Sequence, residues 1–404
     1  MGENGPKVVM GADPLLQSAT GIGTYTRNLA RHLKSENLTE DLKLFANGVF
    51  LSDDVNLHIG EYQDNPLTES NVKKRAARAQ LINSLARLRP WFSKRRLAVG
   101  LFNKAVPLIE QVRLRPFRDY VFHSPNYVLP KFSGPSVVTI HDLSIQRYPD
   151  YHPPERVKFL EAQIATAAEG ATHLITDSVC VREEVIEYFG VDESRVTSVP
   201  LAAGEQFRYR TEIECREILT SLQLVYKRFY LFASTIEPRK NLLRICAAYK
   251  SLRAAGKIDW PIIFVGGPGW RSEAEHREIK SLVDRGWAQY LGFVDPSTLP
   301  ILYSGSGALV FPSIYEGFGL PALEARQSGT RVITSQHSAM AEFANGYDLL
   351  VDPLEVDSLR EAMEAVVERV LEDNGQPLQC AGSGLSWKKT ARLTSEVYKK
   401  VLTK

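Results

Sequence analysis

The chain has 404 residues, with 49 basic against 47 acidic side chains and a formal net charge of +2. That length suits two hydrophobic cores better than one, and the charge balance excludes a chain built as a whole to bind a polyanion, so no nucleic-acid partner is expected. Cys180, Cys215, Cys246 and Cys380 are isolated, with no CxxC pair, which predicts reduced thiols in a cytosolic protein rather than a disulfide or zinc framework. The opening residues MGENGPKVVMGAD lack a charged-then-apolar signal pattern, and no run approaches the ~20 apolar residues that would span a bilayer.

In chain order, residues 7–12 (KVVMGA) read as a first strand and residues 24–33 as a helix, with Tyr25, Leu29 and Leu33 four apart on one face. Gly21, Ile22 and Gly23 stand where that strand hands over to that helix, the place where the backbone of a Rossmann-like half approaches phosphate. A tight turn would use the same glycines. Residues 42–46 form a second strand. The texture then changes, because residues 66–118 carry thirteen Lys and Arg against Glu69 and Glu110, with Leu81, Ile82, Leu85 and Leu88 at helical spacing followed by Trp91 and Phe92. This is a basic amphipathic segment, read either as an anionic-membrane contact or as a solvated helical hairpin. Strands return at 120–123 and 136–142 (SVVTIHD), the latter ending in His141 and Asp142. Polar residues at the carboxyl end of a parallel strand sit where α/β proteins bind ligands. Residues 172–178, a helix at 181–189 and a strand at 195–202 complete the first half.

The second half repeats strand and helix. Strands are predicted at 230–235, 261–267, 288–294, 307–313, 331–336 and 348–353, which makes a doubly wound sheet. After the first of these comes TIEPRKN (235–241), where Arg239 and Lys240 are placed at the opening of the next helix as a diphosphate clamp. VGGPGW (265–270) is a glycine turn that permits close backbone approach. The chain is organised around SIYEGFGLPALEA (313–325), in which Glu316 and Glu324 lie eight positions apart with Gly317, Gly319 and Pro321 between them. Strand, glycine loop and helix start together form an anion site. A carboxylate beside such a site accepts hydrogen bonds from neutral hydroxyls, so the pattern predicts a ligand with hydroxyls at both ends and phosphate between, a sugar nucleotide.

Glu316-x7-Glu324 around GFGLP resembles the signature of retaining glycosyltransferases of family 4, and the stretch from His141 to Glu161 resembles a subset rich in mannosyltransferases. The resemblance covers most of the chain except roughly residues 60–118. It implies an α/β chain of GT-B fold, two Rossmann-like doubly wound domains facing each other across a cleft. Residues 1–206 with a crossover helix at 386–404 would take the acceptor, and residues 207–385 the nucleotide sugar. It further implies that Glu316 holds sugar hydroxyls, Glu324 the ribose, and His141 the sugar or acceptor side. Arg239 and Lys240 would stabilise the departing diphosphate, with Gly21, Ile22, Gly23, Ser234 and the backbone of Gly317, Phe318, Gly319 and Leu320 around the donor. Phe293 and Val294 would meet the base. Many members carry Arg at the position aligned to Ser234, and here Arg239 takes its place. The chain has no Asp-x-Asp motif, so no metal is expected. The implied activity is retaining, metal-independent transfer of a sugar, mannose from GDP-mannose first, to a growing polysaccharide or lipid-linked glycan. The enzyme would work in the cytoplasm or on the inner face of its membrane. A UDP-sugar-dependent transferase or synthase with a soluble acceptor, or a silent sugar-nucleotide-binding subunit, are the alternatives.

Overall fold

The computed structural model describes residues 5–16, 21–51, 106–372 and 384–403. The basic run between 52 and 105, which includes Leu81 to Phe92, lies outside the described residues, as does Cys380. The described strands form two sheets, one of seven strands and one of six. By contacts the chain divides into two compact units, Met1–Val137 with Tyr398–Lys404, and Val138–Val397.

In the first unit β1 (Lys7–Gly11) pairs in parallel with β2 (Asp41–Ala46) and with β4 (Val121–Ser124). The helix Gly21–Ser35 connects β1 to β2, its buried stripe carrying Tyr25, Leu29 and Leu33. A strand absent from the sequence reading, β3 (Val49–Leu51), pairs antiparallel with β2. Asn47 and Gly48 between them both take positive φ, at 48° and 78°. Asn-Gly is the preferred pair for a two-residue hairpin turn of this kind, so the signal for β3 was in the chain. Val9, Phe45, Leu114 and Phe122 form a buried core. The C-terminal helix Trp387–Leu402 ends in this unit, where the Tyr398 hydroxyl and His123 Nδ1 share a buried hydrogen bond of 2.6 Å.

In the second unit lie β5 (Ser136–Ile140), within which the division falls, β6 (His173–Thr176) and β7 (Val196–Ser198), the last two paired in parallel. The six-stranded sheet runs β10-β9-β8-β11-β12-β13 and its described pairings are all parallel. Its strands are β8 (Tyr230–Ala233), β9 (Ile262–Val265), β10 (Ala288–Gly292), β11 (Ala308–Phe311), β12 (Arg331–Ser335) and β13 (Leu349–Val351). All six stand where the apolar runs placed them. Every residue of β8, β9 and β11 is buried, as continuous apolar strands require when helices cover both faces.

Candidate active site

The site assembles at the carboxyl ends of strands in the second unit. β11 is followed by a loop that ends at Gly319, which takes φ 88° and precedes the helix Leu320–Gln327, with Pro321 in its first turn. Pro costs nothing there because its missing N–H has no helical acceptor. A Cβ at Gly319 would strike the Met340 side chain, and one at Gly317 would overlap the backbone carbonyl of His141. Glycine at 317 therefore lets the loop after β11 lie directly on the end of β5. Ser178 locks the contact. Its hydroxyl donates to the Gly317 carbonyl at 2.7 Å and also caps the helix Val179–Phe189.

Arg239 and Lys240 correct one expectation. They do not open the long helix but form a short 3₁₀ turn, Pro238–Lys240, that precedes the helix Leu242–Ala254. The cause is Asn241, which takes the left-handed conformation (φ 66°) and so breaks the two elements apart. Its amide donates to the carbonyls of Pro312 and Pro353, and Ile314 N–H bonds the Arg239 carbonyl at 2.9 Å. The turn is thereby tied to the loop that carries Glu316.

Both cations are engaged. Lys240 Nζ lies 2.5 Å from one Glu316 oxygen and Arg239 Nη1 3.2 Å from the other. Arg239 also donates to the Tyr315 carbonyl and, at 2.8 Å, to Glu237, an acid only 2% exposed. The Arg239 Nε is buried and has no hydrogen-bond partner among the described residues. Burial pushes the Glu316 carboxyl up, but Arg239 and Lys240 prevail and hold it at about 2.

Glu324 sits one turn into the helix in a different setting. The Tyr303 hydroxyl donates to it at 3.1 Å, and no cation pairs with it among the described residues. Burial pushes its carboxyl up to about 8, against the smaller effect of Tyr303.

His141 follows the last residue of β5, as the strand-end rule predicts, and its Nδ1 lies 2.7 Å from Asp177 Oδ2. Asp177 occupies the same position after β6, with a side chain 3% exposed. Behind the site, Tyr315 donates to Glu184 at 2.5 Å and accepts from Leu143 N–H at 3.0 Å.

The expected base-binding residues follow the last residue of β10. Phe293 is 84% exposed, and its ring lies over Gly267, where a Cβ would collide with it; Val294 is half-buried. Ser234 N–H bonds the Val265 carbonyl at 3.0 Å, and its own carbonyl abuts Gly266. Gly21, Ile22 and Gly23 form the first turn of the helix Gly21–Ser35 in the other unit. The structure thus brings Glu316, Arg239, Lys240 and His141 onto adjoining loops, with Glu324 on the helix that leaves one of them. Asp177, Glu237, Tyr303 and Tyr315 were missed by the sequence reading. Asp177 alone carried a usable signal, a polar residue at the end of a parallel strand.

The comparisons with known proteins bear on this arrangement. Residues 221–380 match the family model "Glycosyl transferases group 1". Over 399 residues the chain is 30% identical to the O-antigen chain mannosyltransferase B of Escherichia coli, covering 97% of this chain and 99% of that one. The chain belongs to the group 1 glycosyltransferases.

Another relative of this glycosyltransferase is the serotype-specific mannosyltransferase WbdA of Escherichia coli, 29% identical over 245 residues, or 58% of this chain and 29% of that one. Solved structures show the fold. The enzyme superposes on a glycosyltransferase from Rickettsia africae with a TM-score of 0.67 at 16% identity, covering 99% of each chain. It matches the sucrose-phosphate synthase of Thermosynechococcus elongatus at 0.64 and 20%, covering 98% of this chain and 99% of that one. The two-sheet α/β architecture is therefore the expected GT-B fold.

Proposed function

We propose that this glycosyltransferase is a retaining, metal-independent mannosyltransferase of family 4 that moves mannose from GDP-mannose to a growing polysaccharide or lipid-linked glycan. The observation that carries the reading is the buried Arg239 Nε, which has no acceptor among the described residues, beside Lys240 and next to the glycine loop of residues 317–319. An unpaired buried donor on a cation fits an anion that arrives with the substrate. The mannosyltransferase relatives support the choice of sugar.

In this reading the diphosphate takes over Lys240 and Arg239 from Glu316. The freed carboxylate then accepts hydrogen bonds from the sugar hydroxyls. As the glycosidic bond to the diphosphate breaks, negative charge grows on the leaving oxygen beside two fixed cations, which stabilise it without reorganisation. Those cations do the work a divalent metal does elsewhere. Glu324 takes the ribose hydroxyls and His141 the sugar or acceptor. The reading keeps residues 1–206 as the acceptor side and 207–385 as the donor side.

A panel of GDP-, UDP- and ADP-sugars tests the proposal by thermal shift and by transfer, with and without EDTA. GDP-mannose should give the largest shift, transfer should persist in EDTA, and the product should keep the anomeric configuration. Preference for a UDP-sugar, loss of transfer in EDTA restored by magnesium or manganese, or an inverted product would each overturn the corresponding part.

A lipid-linked acceptor requires the enzyme at a membrane, and no helix among the described residues is long and apolar enough to cross one. Within 106–118, Leu108, Ile109 and Val112 are exposed beside the exposed Arg113, Arg115 and Arg118. We assign residues 66–118 to an anionic lipid surface, where each Lys or Arg contributes about 1 kcal/mol. Sedimentation with anionic but not neutral liposomes, reversed by salt, is the expected result; equal binding to both would remove the assignment.

A further inference from the structure

We propose that Asp177 is a positioning residue for His141, holding the imidazole with its proton on Nδ1 so that Nε2 presents a lone pair to a hydroxyl of the sugar or acceptor. The proposal rests on the reading of His141 as the group that meets sugar or acceptor, and extends it to a residue outside the recognised motif.

The two side chains come from equivalent places on different strands. His141 follows β5 and Asp177 follows β6, and the sheet brings their side chains to 2.7 Å. Asp177 is buried and Ser178, next to it, is fixed twice over, as the cap of the helix Val179–Phe189 and by its hydrogen bond to the Gly317 carbonyl. The carboxylate is therefore held by backbone on both sides, and the imidazole must come to it. Gly317 in turn lies against the His141 carbonyl. One small set of contacts thus couples the ring of His141, the loop that carries Glu316, and Asp177.

A carboxylate accepts and does not donate, so an imidazole beside it keeps its proton on the facing nitrogen. Burial raises the Asp177 carboxyl and the nearby His141 lowers it; with the carboxylate ionised, the proton between them lies on Nδ1 whether or not Nε2 also carries one. The neutral ring then has a single acceptor, Nε2. Without Asp177 the carboxylate no longer selects between the two tautomers. A carboxylate that orients a metal-bound histidine is worth roughly 10–100-fold, and the same scale is expected for one that orients a substrate-binding histidine. The second Asp177 oxygen is buried and has no hydrogen-bond partner among the described residues, so the side chain that this carboxylate meets is His141.

The test reads the tautomer directly and needs no substrate. Long-range ¹H–¹⁵N correlation spectra of the full-length enzyme, with the His141 resonances assigned by loss in His141→Asn, should show Nδ1 protonated and Nε2 as the unprotonated nitrogen above neutral pH. Asp177→Asn should shift His141 toward the Nε2–H tautomer and lower kcat roughly 10–100-fold, with donor KM changed little and the thermal midpoint held within a few degrees. A wild-type His141 protonated on Nε2 would overturn the proposal, as would an Asp177→Asn enzyme with unchanged ring shifts and unchanged kcat. Should the donor reading fail instead, the sugar panel changes while the tautomer result stands, so the two failures are distinguishable.

Discussion

Glu316 and Glu324 lie eight residues apart and their settings are opposite. Glu316 lies within a loop beside two cations and is held ionised at about 2, whereas Glu324 sits on the following helix against the Tyr303 hydroxyl and is pushed by burial to about 8. Spacing alone treats them as a pair. Environment makes one a lasting anion that pairs with Lys240 and, together with Glu237, with Arg239, and the other a group whose charge depends on pH. The difference teaches that the site's cations carry an anionic partner of their own, which a diphosphate would have to displace in the reading proposed above.

The largest expected effect comes from the cationic side. Lys240→Ala should lower turnover by roughly 10²–10³-fold, the scale of losing one preorganised group at a developing charge. Steady-state transfer assays on the folded variant measure it, and turnover close to wild type would remove Lys240 from the leaving-group site and leave it a structural partner of Glu316.

A smaller effect, of opposite sign at the two ends, sharpens the comparison through pH. Glu316 has a folded-state pKa below its unfolded value, so its contribution is present above about 4.5 and is lost as pH falls toward 2. Glu324 has a raised folded-state pKa, so the folded state binds the extra proton and stability falls as pH rises from about 4.5 through about 8. Glu316→Gln should therefore be less stable than wild type at neutral pH, the gap closing in acid. Glu324→Gln should gain on wild type as pH rises from 5 to 8. Thermal midpoints from about pH 2 to 8 decide it, and parallel curves for the two variants would mean that their environments are alike.

Much of this was legible in the residues. The six apolar runs of the second half are parallel strands, of which β8, β9, β11 and β12 are buried throughout, and such strands announce themselves by composition. The loop from Ser313 to Gly319 was readable because the geometry demands glycine at 317 and 319, by close approach and by positive φ. Less legible were the partners. Lys240 and Glu316 are 76 positions apart, Tyr303 and Glu324 are 21, and Tyr315 and Glu184 are 131. No periodicity connects such pairs, since the sheet order alone brings them together. The turn at Pro238–Lys240 was misread as helix because the conformation of Asn241 depends on carbonyls supplied by Pro312 and Pro353. β3 was overlooked although Asn47 and Gly48 mark it.

The claim that a diphosphate and Glu316 compete for the same cations is tested most directly by calorimetry of GDP binding to wild type and to Glu316→Gln. Gln keeps the shape and removes the internal anion, so the account predicts that the variant binds GDP more tightly than wild type while sugar transfer collapses. A variant that loses GDP affinity together with transfer would contradict it, and would make Glu316 the brace that holds Lys240 and Arg239 in place.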